Sequence, residues 1–107
     1  MFFRYPKDFK ERKLTEGITL RLVWGELIML SYATFQPNSI LATHSHPHEQ
    51  TGIVIEGELR LTIGNEKRLC MKGDAFTIPG SVEHSAASGD KPTIVVDTFS
   101  PPREDYM

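Results

Sequence analysis

The chain of 107 residues has a single cysteine, Cys70, so no disulfide can form within it. A small buried thiol in a reducing, cytoplasmic setting is the expected state. Charge of one sign is not in excess either: the net charge is −2 and charged residues make up 24% of the chain. That balance offers neither the basic footprint of a nucleic-acid binder nor a polybasic membrane anchor. No apolar run approaches the roughly 18 residues of a membrane span. The opening Met1-Phe2-Phe3-Arg4-Tyr5-Pro6 is too short and broken to read as a signal peptide. Helical periodicity with caps is missing throughout, and so are internal repeats. The length suffices for one core and not for two.

What the chain does contain reads as strands and turns. Residues 1–17 are polar and charged, densest at Lys7-Asp8-Phe9-Lys10-Glu11-Arg12-Lys13, and are expected to form a solvated N-terminal arm. One domain is expected over residues 18–107. Apolar and polar residues alternate over 18–23, and a β-rich run follows over 27–35. Gln36-Pro37-Asn38-Ser39 is a turn, and residues 40–46 form the next strand. Strands are expected over 52–56 and 58–63, flanking Gly57, with Leu59, Leu61 and Ile63 on one face. Gly64-Asn65-Glu66 signals a hairpin, and Lys72-Gly73-Asp74 a turn before a strand over 75–78. The last strand spans 93–99 and stops before Pro101-Pro102. Short strands at regular spacing argue a barrel or sandwich, all β.

The chemistry is concentrated in two segments, His44-Ser45-His46-Pro47-His48-Glu49-Gln50 and Pro79-Gly80-Ser81-Val82-Glu83-His84. His44 and His46 are two apart, so on a strand both leave from one face. Gln50 keeps the same parity if the strand resumes after Pro47, and a closed barrel can bring His84 opposite the pair. Three imidazoles and an amide oxygen suit one borderline divalent metal: Zn, Ni, Fe, Mn or Co. The alternative is four unrelated rim histidines. His48 follows Pro47 and is expected at the rim, outside the ligand set.

These segments resemble the two motifs of the cupins. Asn38 stands where the first motif opens with Gly, Gln50 at its acidic position, and Gly57 at its closing Gly. The second motif opens with Gly73-Asp74, reaches Pro79 and ends on His84, with Ser81 and Ser88 replacing its usual Gly and Asn. The resemblance implies a double-stranded β-helix, or jelly-roll, barrel. Trp24-Gly25-Glu26, Met29-Leu30-Ser31-Tyr32 and the tail from Asp97 to Tyr106 further resemble the pectin-degradation cupins, which linearise 4,5-unsaturated monouronates. That resemblance implies a small sugar acid as partner, ring opening and ketonisation as the reaction, and a homodimer. The alternating run 18–23 is expected to offer a sheet edge for the second copy.

The residues of the tail allow roles to be assigned. On a strand Val95, Asp97 and Phe99 share a face, so an inward Asp97 is a carboxylate in a partly dry cavity and an acid/base candidate. An outward Asp97 would only pair with surface cations. Arg103 either clamps a substrate carboxylate or is a solvated tail charge. Phe99 either packs on a sugar ring or lies in the core. Gln50 in place of Glu leaves the ligands neutral, and a decarboxylase reading is weakened accordingly. A metal-dependent oxygenase and a non-catalytic small-ligand-binding cupin remain as rival classes.

Overall fold

A computed structural model describes residues 2–107. Its ten strands are β1 (Lys10–Thr15), β2 (Ile18–Trp24), β3 (Met29–Phe35), β4 (Ile40–His44), β5 (Glu49–Glu56), β6 (Glu58–Ile63), β7 (Glu66–Met71), β8 (Ala75–Ile78), β9 (His84–Ser88) and β10 (Thr93–Ser100). They form a six-stranded sheet in the order β1-β2-β3-β10-β5-β8 and a four-stranded sheet in the order β4-β9-β6-β7. All pairings are antiparallel. The only helical pieces among the described residues are 3-10 turns at Pro6–Asp8 and Glu104–Tyr106. The fold is the jelly-roll that the resemblance implied.

Alternation explains the layering. In β2, β3 and β10 every second residue is buried, and these inward residues stack in register across the sheet. Leu20, Ala33, Val95 and Val54 form one apolar row. Above it lies a mixed row of Leu22, Ser31, Asp97, Gly52 and Phe76. Next come Trp24, Met29, Phe99, Gln50 and Ile78. The opposite sheet supplies Leu59, Leu61 and Ala86 to the core, then His44, His84 and Ile63 at the mouth. The barrel is therefore apolar at one end and polar-lined at the other.

Several boundaries differ from the sequence reading. Residues 10–15 are not a free arm: β1 pairs with β2, and Leu14 packs against the core. The arm's side chains are solvated as expected, but its backbone completes the sheet. Charged residues without alternation hid this, and they suit an edge strand, where lysines and a bulge between Lys13 and Thr15 discourage further pairing. It follows that β2 lies between β1 and β3 and presents no edge to a second copy. Strand β3 starts at Met29 because Gly25 N–H donates to Ile28 O across a turn. Strands β7 and β9 were not singled out beforehand. Their neighbours, a Gly-Asn hairpin and the Pro79 corner, were.

Two departures from the motif glycines keep the glycine backbone. Asn38 has φ 56° and Ser81 φ 67°, both left-handed. At Gly57, with φ 77°, a Cβ would overlap Pro92 O and crowd Thr93 Oγ1, so glycine is required there on two counts. The Ser81 turn also carries the site, because Ser81 N–H donates to His46 O at 2.7 Å. A left-handed non-glycine residue costs roughly 1–2 kcal/mol. Ser81→Gly is therefore expected to raise stability by about 0.5–1 kcal/mol after the added unfolded-chain entropy is subtracted, whereas Ser81→Val should lower it. Urea unfolding of the two variants checks the sign of each.

Candidate metal centre

His44 ends β4 and pairs directly with His84 at the start of β9. His46 does not share a strand with His44, contrary to the parity argument. β4 stops at His44, and His46 sits in the connection to β5, held by the Ser81 turn. Gln50 belongs to β5 in the other sheet. The four residues meet because the two sheets close on each other at this point.

Ligating atoms of His44, His46 and His84 lie within 4.8 Å of one another. Two nitrogens on opposite sides of one ion would be roughly 4.0–4.4 Å apart, from metal–nitrogen distances of roughly 2.0–2.2 Å. Small side-chain adjustments thus suffice. Each imidazole gives its Nδ1–H to a backbone carbonyl: His44 to Ala42 O at 2.9 Å, His84 to Val82 O at 2.9 Å, and His46 to His48 O at 3.0 Å. A carbonyl can only accept, so Nδ1 must carry the proton and all three Nε2 atoms present lone pairs. His84 Nε2 is buried without a hydrogen-bond partner among the described residues.

Gln50 extends this donor set. Its Oε1 lies 3.1 Å from His46 Nε2. Contact between these atoms as a hydrogen bond would need a protonated His46. Burial, then the Arg103 charge and His84, lowers the His46 pKa to about 4. Near neutrality two lone-pair atoms therefore face one another, a costly arrangement unless a cation lies between them. His84 is also held below its ordinary range, chiefly by burial. Neutral imidazoles, an orphaned buried nitrogen and an opposed amide oxygen all fit a divalent metal.

Asp97 faces inward and is 8% exposed, which removes the outward alternative. Its Oδ1 accepts a hydrogen bond from Gln50 Nε2 at 3.0 Å. Burial pushes its pKa up to about 6, against the opposing effect of that bond. Room for the carboxylate comes from Gly52 directly across the strand pair, where a Cβ would overlap both Asp97 Oδ1 and Phe76 Cζ. Phe99 lies in the core and also lines the cavity, its ring 5.7 Å from the His46 ring and edge-on to it.

The tail closes over this end of the barrel. Arg103 is buried, not a solvated charge, and lines the same cavity as Asp97, His44 and His84. Its guanidinium donates to both carboxylate oxygens of Asp105, at 3.3 and 2.8 Å, and to Tyr106 Oη at 2.8 Å. It also stacks 3.8 Å over the Tyr106 ring. Tyr106 lines the cavity and was missed as a site residue, although the tail that holds it stood out in the sequence. His48 is buried and not at an open rim: Glu104 of the tail lies 3.4 Å from its Nε2. Its side chain stays outside the histidine cluster, as expected.

Comparison with known proteins agrees with this fold. Residues 31–99 match the Cupin domain family. The chain is 30% identical over 97 residues, 89% of its own length and 88% of the relative's, to the pectin degradation protein KdgF of Dickeya dadantii (strain 3937). Among solved structures, an RmlC-like cupin from Shewanella frigidimarina NCIMB 400 superposes with a TM-score of 0.91 at 26% identity, covering 100% of this chain and 96% of that one. KdgF from Halomonas sp. gives a TM-score of 0.89 at 28% identity, covering 98% and 97%.

Burying an ionised Asp97 weakens the fold, and the sign follows from the raised pKa. The folded state holds the proton more tightly, so stability falls as pH rises from the unfolded value of 3.8 toward about 6 and stays lower above it. Metal-free Asp97→Asn is expected to be more stable than metal-free wild type at pH 7.5, on the order of 1–3 kcal/mol. The gain should vanish near pH 4. Urea unfolding across that range reads it, and a gain independent of pH would contradict the account.

Proposed function

The chain belongs to the cupin family, and from that premise we propose that it is a metal-dependent enzyme opening the ring of 4,5-unsaturated monouronates from pectin or alginate. The observation that carries this reading is Asp97, a buried carboxylate with a pKa of about 6 in the cavity that the three histidines line or adjoin. A group poised there can take and return a proton near neutral pH. The relation to a pectin degradation protein over nearly the whole chain supports the substrate class.

Ligation by His44, His46, Gln50 and His84 leaves the donors uncharged. The bound ion would supply Lewis acidity toward the substrate carboxylate. The protein's own part is proton handling. Asp97 removes the proton from the anomeric hydroxyl, C1 becomes a carbonyl, and the bond from C1 to the ring oxygen breaks. Electrons released to that oxygen leave an enolate across C4 and C5. Asp97 then returns its proton to C4, giving the linear keto acid with no net change in composition. Arg103 provides positive charge for the substrate carboxylate, and Phe99 an apolar surface for the sugar.

A homodimer belongs to the same proposal. Since β2 is covered, the surface that supports it is the outer face of the six-stranded sheet. Tyr32, Val96 and Ile53 are aligned there, with Leu30 and Ile55 beside them. Leu30, Ile53 and Ile55 are 39%, 37% and 40% exposed, unusual for apolar side chains clustered on one face. A cytoplasmic setting matches the lone, buried Cys70.

Two experiments test these statements. In an NMR time course with unsaturated monouronate, the metal-loaded protein should accelerate linearisation equally with and without oxygen, and Asp97→Asn should slow it roughly 10²–10⁴-fold. Oxygen consumption would point to an oxygenase, and binding without turnover to a non-catalytic cupin. Light scattering should give twice the 12.1 kDa chain mass, falling to one chain in Ile53→Lys. A monomeric wild type would sink the dimer.

A further inference from the structure

The Gln50 amide is held through its nitrogen, which turns its oxygen toward the histidines. Nε2 donates to Asp97 Oδ1 at 3.0 Å, and Oε1 lies 3.1 Å from His46 Nε2. Both side chains are buried. An ionised carboxylate accepts and cannot donate, so the opposite amide orientation would set Oε1 against a charged oxygen. Asp97 is itself fixed. It lies in register between Ser31 and Gly52, and a Cβ at Gly52 would overlap its Oδ1.

We propose that Asp97 is a positioning residue for the metal centre: by accepting the Gln50 amide hydrogen it directs Gln50 Oε1 at the three histidine nitrogens. The same contact makes a glutamine, and not a glutamate, the workable ligand here. A glutamate at position 50, beside Asp97, would bring two carboxylates together at hydrogen-bond distance in a buried place, where both cannot stay ionised. The carboxylate acceptor at 97 thus calls for an amide donor at 50, and this chain has that pair. The inference rests on the metal-centre reading and is independent of which substrate is turned over.

Metal affinity, measured without substrate, separates it from the catalytic reading. Zinc titration calorimetry and the visible spectrum of the cobalt(II) form are the two readouts. Asp97→Val removes the acceptor and frees the amide, and is expected to weaken zinc binding about 10- to 100-fold and alter the cobalt spectrum. Asp97→Asn, which can still present an oxygen, should lose less than Asp97→Val. Gln50→Glu alone should bind zinc but unfold at lower urea than wild type when metal-free. Combining it with Asp97→Asn should restore the urea midpoint and tight zinc binding while leaving uronate turnover low. Wild-type zinc affinity in Asp97→Val, or no rescue of the Gln50→Glu midpoint in the double variant, overturns the proposal. Failure of the wild type to linearise uronates would sink the uronate reading alone.

Discussion

Three Nδ1–H donations to backbone carbonyls hold the site together. His44 and His84 each donate to the carbonyl two residues earlier, while His46 donates to the carbonyl two residues later. These bonds select the tautomer and aim every Nε2 into one space, which is how proteins prepare imidazoles for a metal before it arrives. The β4–β9 pairing sets His44 beside His84, and the Ser81 turn anchors the His46 backbone. Without the local carbonyls the imidazoles would be free to rotate, and barrel closure alone would not converge them.

Around this cluster the barrel carries polar groups that an apolar core would exclude. Asp97 and Ser31 are buried one sheet row away from Val95 and Val54, and Gln50 is buried one row further. Their presence lowers stability, since burial raises the Asp97 pKa to about 6 even against the Gln50 hydrogen bond. Gly52 compounds this by giving up a side chain in mid-strand to make space. A chain selected only for packing would have Asn or an apolar residue at 97 and a larger residue at 52. Retained instability of this kind is the physical mark of a site.

How much was legible follows from which signals are local. Alternation in 18–23 and 93–99 marked strands correctly and put Asp97 and Phe99 on one face, while the choice of inward over outward needed the packed sheet. The histidine cluster was also found, but by an argument only partly right. His46 and Gln50 converge through the turn from one sheet to the other, not by parity along a single strand. Strand β1 was invisible because an edge strand needs backbone partners and no apolar face. The apolar sheet face formed by β3, β10 and β5 was equally hidden, since it joins residues far apart in the chain.

The tail is where sequence and structure diverge most instructively. Arg103 looked like either a clamp or a solvated charge, and the choice depends on residues that no local pattern ties to it. Phe99 and Tyr106 flank its guanidinium, at 5.3 and 3.8 Å from the ring centroids. Burial of a guanidinium is expensive unless its fork is filled, and Asp105 fills it. That contact holds the Asp105 carboxyl below its usual range, the hydrogen bonds and charge of Arg103 outweighing the opposing effect of burial. Of the five N–H groups on a guanidinium, Asp105 takes two and Tyr106 one. Two remain for a ligand, in a group already desolvated and oriented. An arginine prepared in this way loses little freedom on pairing with an acid, and its positive charge adds to the burial that keeps His46 and His84 neutral. In the proposed reaction, one buried cation would thus act on the histidine cluster and on an anionic substrate together.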